Sequence, residues 1–208
     1  MMKIDRAGLP FVGGAAALAA GAALFAGLPG ATPLAVLAGF FVFFFRDPDR
    51  RSPDDPRAVL APADGRVLVA GPAVPAVRPP GEWLQVSIFL SPMDVHVNRM
   101  PVSGRVDRVE FHPGKFLPAF RRDAATDNER SEVWVDHGGQ AVVVRQIVGV
   151  LARRVVCRLE PGRQVRAGER FGIMKFGSRM DVFLPVSAVL RVAVRDRVRG
   201  GETVLATL

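Results

Sequence analysis

The chain of 208 residues has no tyrosine, two tryptophans, three histidines and one cysteine. A lone cysteine, Cys157, excludes an intrachain disulfide and a thiolate zinc cluster. His96, His112 and His137 are too few for a histidine-rich metal site, so no metal is expected. Lysine is scarce as well: Lys3, Lys115 and Lys175 are the only three, so a net charge of +8 rests almost wholly on arginine. Such an excess suits a polyanion. Without tyrosine, and with much of the phenylalanine held in "FFVFFF" at 40–45, the chain lacks the stacking set of a nucleic-acid binder. No nucleic acid is expected, and an anionic phospholipid membrane is the partner the charge fits.

Charge itself is missing from residues 7 to 45, between Lys3, Asp5 and Arg6 on one side and "RDPDRR" on the other. The apolar tract breaks at "GLPGATP", 27–33, where glycine and proline mark a turn. The first arm, 9–28, is long enough for a hydrocarbon layer of about 30 Å. The second, 34–45, gives a helix of about 18 Å, too short to span unaided. Residues 1–50 therefore read as a hydrophobic membrane-anchoring hairpin, with basic residues at both ends placing the body on the cytoplasmic side of the cell (inner) membrane. A signal peptide is the competing reading, and the second apolar arm argues against it.

Residues 51–60, rich in proline and charge, read as a linker, and 61–208 as a β-rich catalytic domain. Valine-rich runs at 66–71, 83–90, 104–111, 132–137 and 140–151 are separated by Gly, Pro or Asp, and shorter ones follow to the C-terminus. The expected fold is mainly β, a sandwich or partly closed sheets with few helices, preceded by the helical hairpin. Residues 111–130 break the alternation and read as a long loop. Its Phe116, Leu117, Phe120, Arg121 and Arg122 either dip into a headgroup layer or cover a sheet edge.

Three short stretches carry candidate chemistry. "APADGRV" at 61–67 holds Asp64-Gly65, an ordinary turn pair. "SPMDVHVNRMP" at 91–101 puts Asp94 and His96 on one face of extended backbone. "KFGSRMDVFLP" at 175–185 interrupts a strand with Gly177-Ser178. A serine hydroxyl beside the preceding carbonyl can attack its own backbone, turning an amide into an ester. Elimination then releases the upstream chain and leaves dehydroalanine, which hydrolyses to a pyruvoyl group. Glycine at 177 tolerates the strained backbone this needs, and a base and oxyanion donors must be near. The same stretch also has the rhythm of a biotinyl or lipoyl carrier hairpin, which would make the protein a membrane-tethered carrier or adaptor modified at Lys175.

These stretches, together with "NER" at 128–130 and "GERFGIMKFGSRMDVFLP" at 168–185, resemble the short bacterial and archaeal form of phosphatidylserine decarboxylase. The resemblance runs from about residue 61 to 185. It implies a proenzyme that cuts itself between Gly177 and Ser178 into a large subunit, 1–177, and a small one, 178–208. Ser178 becomes a covalent pyruvoyl group, so no pyridoxal phosphate is needed. Its ketone forms a Schiff base with phosphatidylserine and releases CO2 and phosphatidylethanolamine. By the same analogy Asp64 helps assemble the base acting on Ser178, and His96 donates a proton near the Schiff base. Longer family members carry a second histidine three residues after the first. Here that position is Arg99, which stays protonated and cannot be a base. Either His96 serves both steps, or Asp64 acts directly or through water, or His112 or His137 arrives from elsewhere; Asp64 with His96 is the favoured pair. Arg99 could instead bind the substrate carboxylate or phosphate. A homo-oligomer is compatible with all of this.

Overall fold

The structure, a computed structural model, describes residues 3–150, 155–175 and 177–208. They fall into two compact units, Met1–Asp49 and Arg50–Leu208.

In the first unit, helix α1 (Leu9–Phe44) is interrupted at Gly27, whose φ of 66° and ψ of −170° are not helical. A positive φ costs glycine nothing, and Pro29 follows where a new helical segment does not need its N–H. The chain doubles back there. Strands β1 (Lys3–Ile4) and β2 (Arg46–Asp47) pair antiparallel, Lys3 opposite Asp47. The Phe11 ring stacks on Phe45 at 5.3 Å and meets Phe41 edge-on at 5.6 Å. The hairpin expected from sequence is therefore present, with one correction. Its second arm starts directly after Gly27 rather than at 34, because Pro29 and Pro33 both lie inside the helix. That arm is about 25 Å long at 1.5 Å per residue, not about 18 Å. Large side chains lie uncovered along both arms, Phe25 on the first at 93% exposed and Leu28 and Val36 on the second. By length and composition the helix is apolar enough to cross a membrane.

In the second unit the strands are β3 (Ala58–Leu60), β4 (Gly65–Pro72), β5 (Leu84–Leu90), β6 (Val97–Arg99), β7 (Gly104–His112), β8 (Arg130–His137), β9 (Gln140–Ile147) and β10 (Val155–Cys157). There follow β11 (Gln164–Val165), β12 (Arg170–Met174), β13 (Ser178–Leu184), β14 (Val189–Leu190), β15 (Arg197–Val198) and β16 (Val204–Thr207). Among the described residues they build an eight-stranded sheet, β11-β7-β8-β9-β13-β5-β4-β15, and two three-stranded sheets, β10-β12-β6 and β14-β16-β3. The one short helix, α2 (Ala124–Asp127), lies within the long loop after β7. The mainly β expectation holds. The end of the segment read as linker, 58–60, is a buried strand.

Strand alternation gives the large sheet two different faces. On one, Ile88, Leu90, Val133, Val144, Met180 and Val182 join the main core. On the other, the side chains at 85, 87, 132, 145, 179 and 181 are polar and buried. Arg179 Nε donates to Asp181 Oδ1 at 2.7 Å and its Nη2 to Ser87 Oγ at 2.9 Å, while Gln85 Nε2 donates to Asp181 Oδ2 at 3.2 Å. Arg145 pairs with Glu132 and donates to the Val77 carbonyl. These charges stay buried because each is partnered. The long loop packs on this same face, Phe120 meeting Phe89 edge-on at 5.9 Å.

Two outcomes follow from this packing. Asp181→Ala leaves Arg179 buried without its carboxylate and should cost about 3–5 kcal/mol in urea unfolding. Burial pushes the Cys157 thiol up, so less thiolate is present at neutral pH. Its alkylation by iodoacetamide should be slower than that of a free thiol, with a rate still rising above pH of about 8.5, where a free thiol is already half ionised.

Candidate active site

The Gly177-Ser178 interruption lies where the chain changes sheets. Strand β12 belongs with β6 and β10, whereas β13 lies between β5 and β9. The connection is short and is held at both ends by one residue. The Met174 N–H donates to the His96 carbonyl at 3.3 Å. Three residues later the Gly177 N–H donates to His96 Nε2 at 3.4 Å. Because Nε2 accepts, the ring proton sits on Nδ1, which donates to the Asp94 carbonyl at 3.0 Å. A fully buried imidazole thus lies beside the Gly-Ser pair, its Nε2 lone pair taken by the Gly177 N–H.

Ser178 opens β13 opposite Leu90 and is fully buried. Its hydroxyl oxygen has no hydrogen-bond partner. Burying an unpaired hydroxyl is costly, and such an orphan calls for an explanation, of which a catalytic role is one. Gly177 has φ of 71°, in the left-handed region, yet a Cβ there would meet nothing within 4 Å. Glycine is required at 177 by conformation, not by space.

Ser178 and Arg179 point to opposite faces of the sheet, and this separates the site from the neighbouring cavity. A cavity of about 410 Å³ is lined by Arg179, Arg122, Phe120, Val77, Val74, Val69 and Leu68. It opens on the polar-layer face, away from the Ser178 side chain.

The other expected residues are distributed unevenly. Asp64 immediately precedes β4, and β5 lies between β4 and the β13 strand that Ser178 opens. Its Oδ2 accepts from Arg50 Nη2 at 2.7 Å and its Oδ1 from the Gly200 N–H at 2.8 Å. Arg50 also reaches Glu202 at 3.1 Å. Asp64 therefore ties the chain before β3 to the turn at 199–203. Arg99, 6% exposed, lies against the same turn: its Nη1 donates to the Gly168 carbonyl at 3.1 Å, and a Cβ on Gly201 would lie 2.8 Å from its Cδ. Within β6 the strand period puts Arg99 and Asn98 on opposite faces.

His137 Nδ1 donates to the Ser103 carbonyl, 2.7 Å away, at the far end of β8. His112 sits 3.4 Å from Glu110 on β7, three strands from β13. Neither reaches Ser178, so His96 is the histidine that the fold brings to the Gly-Ser pair. Lys175 is not at a hairpin tip, because β12 and β13 belong to different sheets. The carrier reading fails for that reason. Among the described residues no group of three or more His, Cys, Asp or Glu could hold a metal ion.

Sequence reasoning missed Arg50 and Gly149. Arg50 gave no signal, since a charge in a proline-rich stretch looks solvated. Gly149 did: the run 140–151 was read straight through it, although glycine in a strand pattern marks a strand end or a close approach. Strand β9 in fact stops at Ile147.

A family profile described as phosphatidylserine decarboxylase matches residues 37–206. Proteins named phosphatidylserine decarboxylase proenzyme are similar over most of their length. The one from Pelodictyon phaeoclathratiforme is 46% identical over 84% of this chain and 81% of its own. That from Nitrosomonas europaea is 44% identical over 98% and 94%, and that from Solibacter usitatus 44% over 99% and 97%. The match spans both the Gly-Ser crossover and the histidine strand that holds it, and the chain belongs to the phosphatidylserine decarboxylase family.

Proposed function

We propose that the protein is a phosphatidylserine decarboxylase made as a proenzyme, which cuts itself between Gly177 and Ser178 and carries a pyruvoyl group at residue 178. The observation that carries this reading is a buried, unpartnered Ser178 hydroxyl next to a positive-φ glycine whose N–H meets a neutral His96. The hydroxyl has no hydrogen bond to break before it turns toward the Gly177 carbonyl. His96 Nε2 gives up its long hydrogen bond from the Gly177 N–H and takes the hydroxyl proton as Oγ bonds to the carbonyl carbon, and the proton passes to the departing nitrogen. Loss of the residue 178 α-proton then expels Gly177 as a carboxylate. Water adds to the resulting dehydroalanine and ammonia leaves.

The residues fit the group. Residue 178 is dry, central in the sheet and flanked by a histidine. A pyruvoyl group there supplies a ketone that takes up the substrate amine and an electron sink for the pair left by CO2. Near it, His96 would take up and return a proton at Nε2, the nitrogen on the Gly177 side. Asp64 supports the site at a distance, by fixing the 199–203 turn.

Cleavage need not separate the fragments. Strand β13 stays paired along both edges with β5 and β9, β15 with β4, and β16 with β3. The apolar N-terminal unit attaches the protein to the membrane that contains its substrate, and the basic residues flanking it favour the cytoplasmic side.

Intact-mass measurement of purified protein should show two fragments, the smaller starting at residue 178 with a ketone-bearing terminus. They should co-elute until denaturant is added; a single unbroken chain that still decarboxylates would sink the proposal. His96→Ala, assayed on protein that has cleaved, should lower decarboxylation by at least about 100-fold, the usual worth of a positioned acid or base. Full turnover by cleaved His96→Ala would remove His96 from the reaction. Asp64→Asn should act through stability, lowering the urea midpoint by an amount equivalent to about 1–3 kcal/mol, and a loss of cleavage at unchanged stability would instead give Asp64 a direct role. The full-length chain should pellet with membranes, and recovery in the soluble fraction would contradict the anchor.

A further inference from the structure

The attack on the Gly177 carbonyl needs that carbonyl held still, and Gly149, outside the histidine and Gly-Ser stretches, is packed against it. A Cβ built on Gly149 would lie 2.0 Å from the Gly177 carbonyl oxygen and 3.0 Å from its carbon. It would also lie 3.4 Å from Ala119 Cβ. Gly149 is not among the residues with positive φ. Its backbone would accept any side chain, so glycine is needed there for space alone. The position reverses the logic of Gly177, which has space to spare and an unusual backbone.

Gly149 is in turn fixed by a side chain. Asn128, fully buried, donates through Nδ2 to the Val148 carbonyl and to the Leu117 carbonyl, each at 2.8 Å. Its Oδ1 accepts from the Leu117 N–H at 2.9 Å. The Val148 N–H donates to the Glu129 carbonyl at 3.1 Å. One amide thus ties together the two segments that carry Ala119 and Gly149.

We infer that Gly149 and Asn128 are positioning residues for self-cleavage, Gly149 as a Cβ-free floor under the Gly177 carbonyl and Asn128 as the clamp that fixes that floor. This rests on the reading of Gly177-Ser178 as the cleavage site. The step they serve is an isomerisation. Ser178 Oγ bonds to the Gly177 carbonyl carbon, the C–N bond breaks, and the hydroxyl proton ends on the nitrogen, with no other reactant. Its rate depends on the direction from which the oxygen meets the carbonyl. A methyl at 149 forces the carbonyl to shift by about 1 Å, a displacement that costs about 100-fold in rate. Asn128→Asp keeps the acceptor for Leu117 N–H and removes both donors. It loosens the floor without adding an atom, for an expected slowing of about 10-fold.

The test follows full-length wild type, Gly149→Ala and Asn128→Asp after cell-free synthesis. Three quantities are read: conversion of precursor to fragments with time, cleavage of the remaining precursor by neutral hydroxylamine, and melting temperature against uncleavable Ser178→Ala. Hydroxylamine cuts an ester and leaves an amide, so it reports whether the carbonyl was attacked. The expected result is slow conversion, a precursor that resists hydroxylamine, and a melting temperature within a few degrees of Ser178→Ala. Loss of folding alone would not give a stable, amide-linked precursor. Conversion of Gly149→Ala within twofold of wild type overturns the inference, and so does a hydroxylamine-sensitive precursor, because attack would then be intact. Should Gly149→Ala not fold, folded Asn128→Asp decides by the same two readouts. An uncleaved but active wild type overturns the self-cleavage reading and this inference with it, whereas normal wild-type cleavage with fast Gly149→Ala overturns this inference alone.

Discussion

The change of sheet between Met174 and Ser178 is the constraint on which the site depends. A strand that ends in one sheet and restarts in another must turn within a few residues, and both of its ends here are tied to His96. Its main-chain carbonyl takes the last N–H of β12, and its ring takes the N–H of Gly177. The same residue therefore closes the connection and sets a basic nitrogen beside it. A positive φ at Gly177 completes the turn, and Ser178 enters the sheet with its side chain on the core face and no partner for its hydroxyl.

Surroundings decide what such a serine can do. On the core face its neighbours along the strand, Met180 and Val182, are apolar and fully buried. The polar layer, with Arg179, Asp181, Ser87 and Gln85, is kept to the other face by the two-residue period of the strand. A hydroxyl at 178 thus has little competition for its proton from neighbouring charges. On the far side of the same strand, the charges lock β13 to β5. The small fragment would be held by those pairings as well as by β15 and β16, so the fold has no need of the peptide bond at 177 once it has formed.

Much of this was legible in the sequence because it depends on local pattern. Valine alternation located β4, β5, β7, β8 and β9 to within a residue or two, apart from the run past Ile147. The break in the apolar tract was read from glycine and proline, although the second arm was drawn too short by treating Pro29 and Pro33 as breakers rather than as residues of an early helical turn. The Gly-Ser interruption was visible, but its cause was not. Within one strand it suggests a bulge, and only non-local pairing reveals that β12 and β13 have different partners. The same limit hid the partners of Asp64. Its oxygens are taken by Arg50 and by the Gly200 N–H, 136 positions along the chain, and no periodicity reports such a contact.

The resemblance to longer family members implies a second histidine at the position that Arg99 occupies, and the geometry around Arg99 limits what that difference can mean. Within β6 the side chain of 98 lies on one face and those of 97 and 99 on the other, and His96 immediately precedes the strand, its carbonyl accepting from the Met174 N–H. Asn98 joins the buried amide chain with Gln146 and Ser131, its Oδ1 accepting from Gln146 Nε2 at 2.8 Å. Arg99 turns toward Gly168 and Gly201, the latter beside the Gly200 amide that binds Asp64. Positions 64 and 99 therefore converge on the 199–203 turn, while 96 converges on Gly177. An arginine at 99 donates to a main-chain carbonyl and fills space beside glycine, which suits a brace for that turn. It offers no lone pair to a serine. Arg99 cannot then be the base in the proposed self-cleavage, and His96, fully buried with its Nε2 accepting from the Gly177 N–H, is the histidine set beside the Gly-Ser pair.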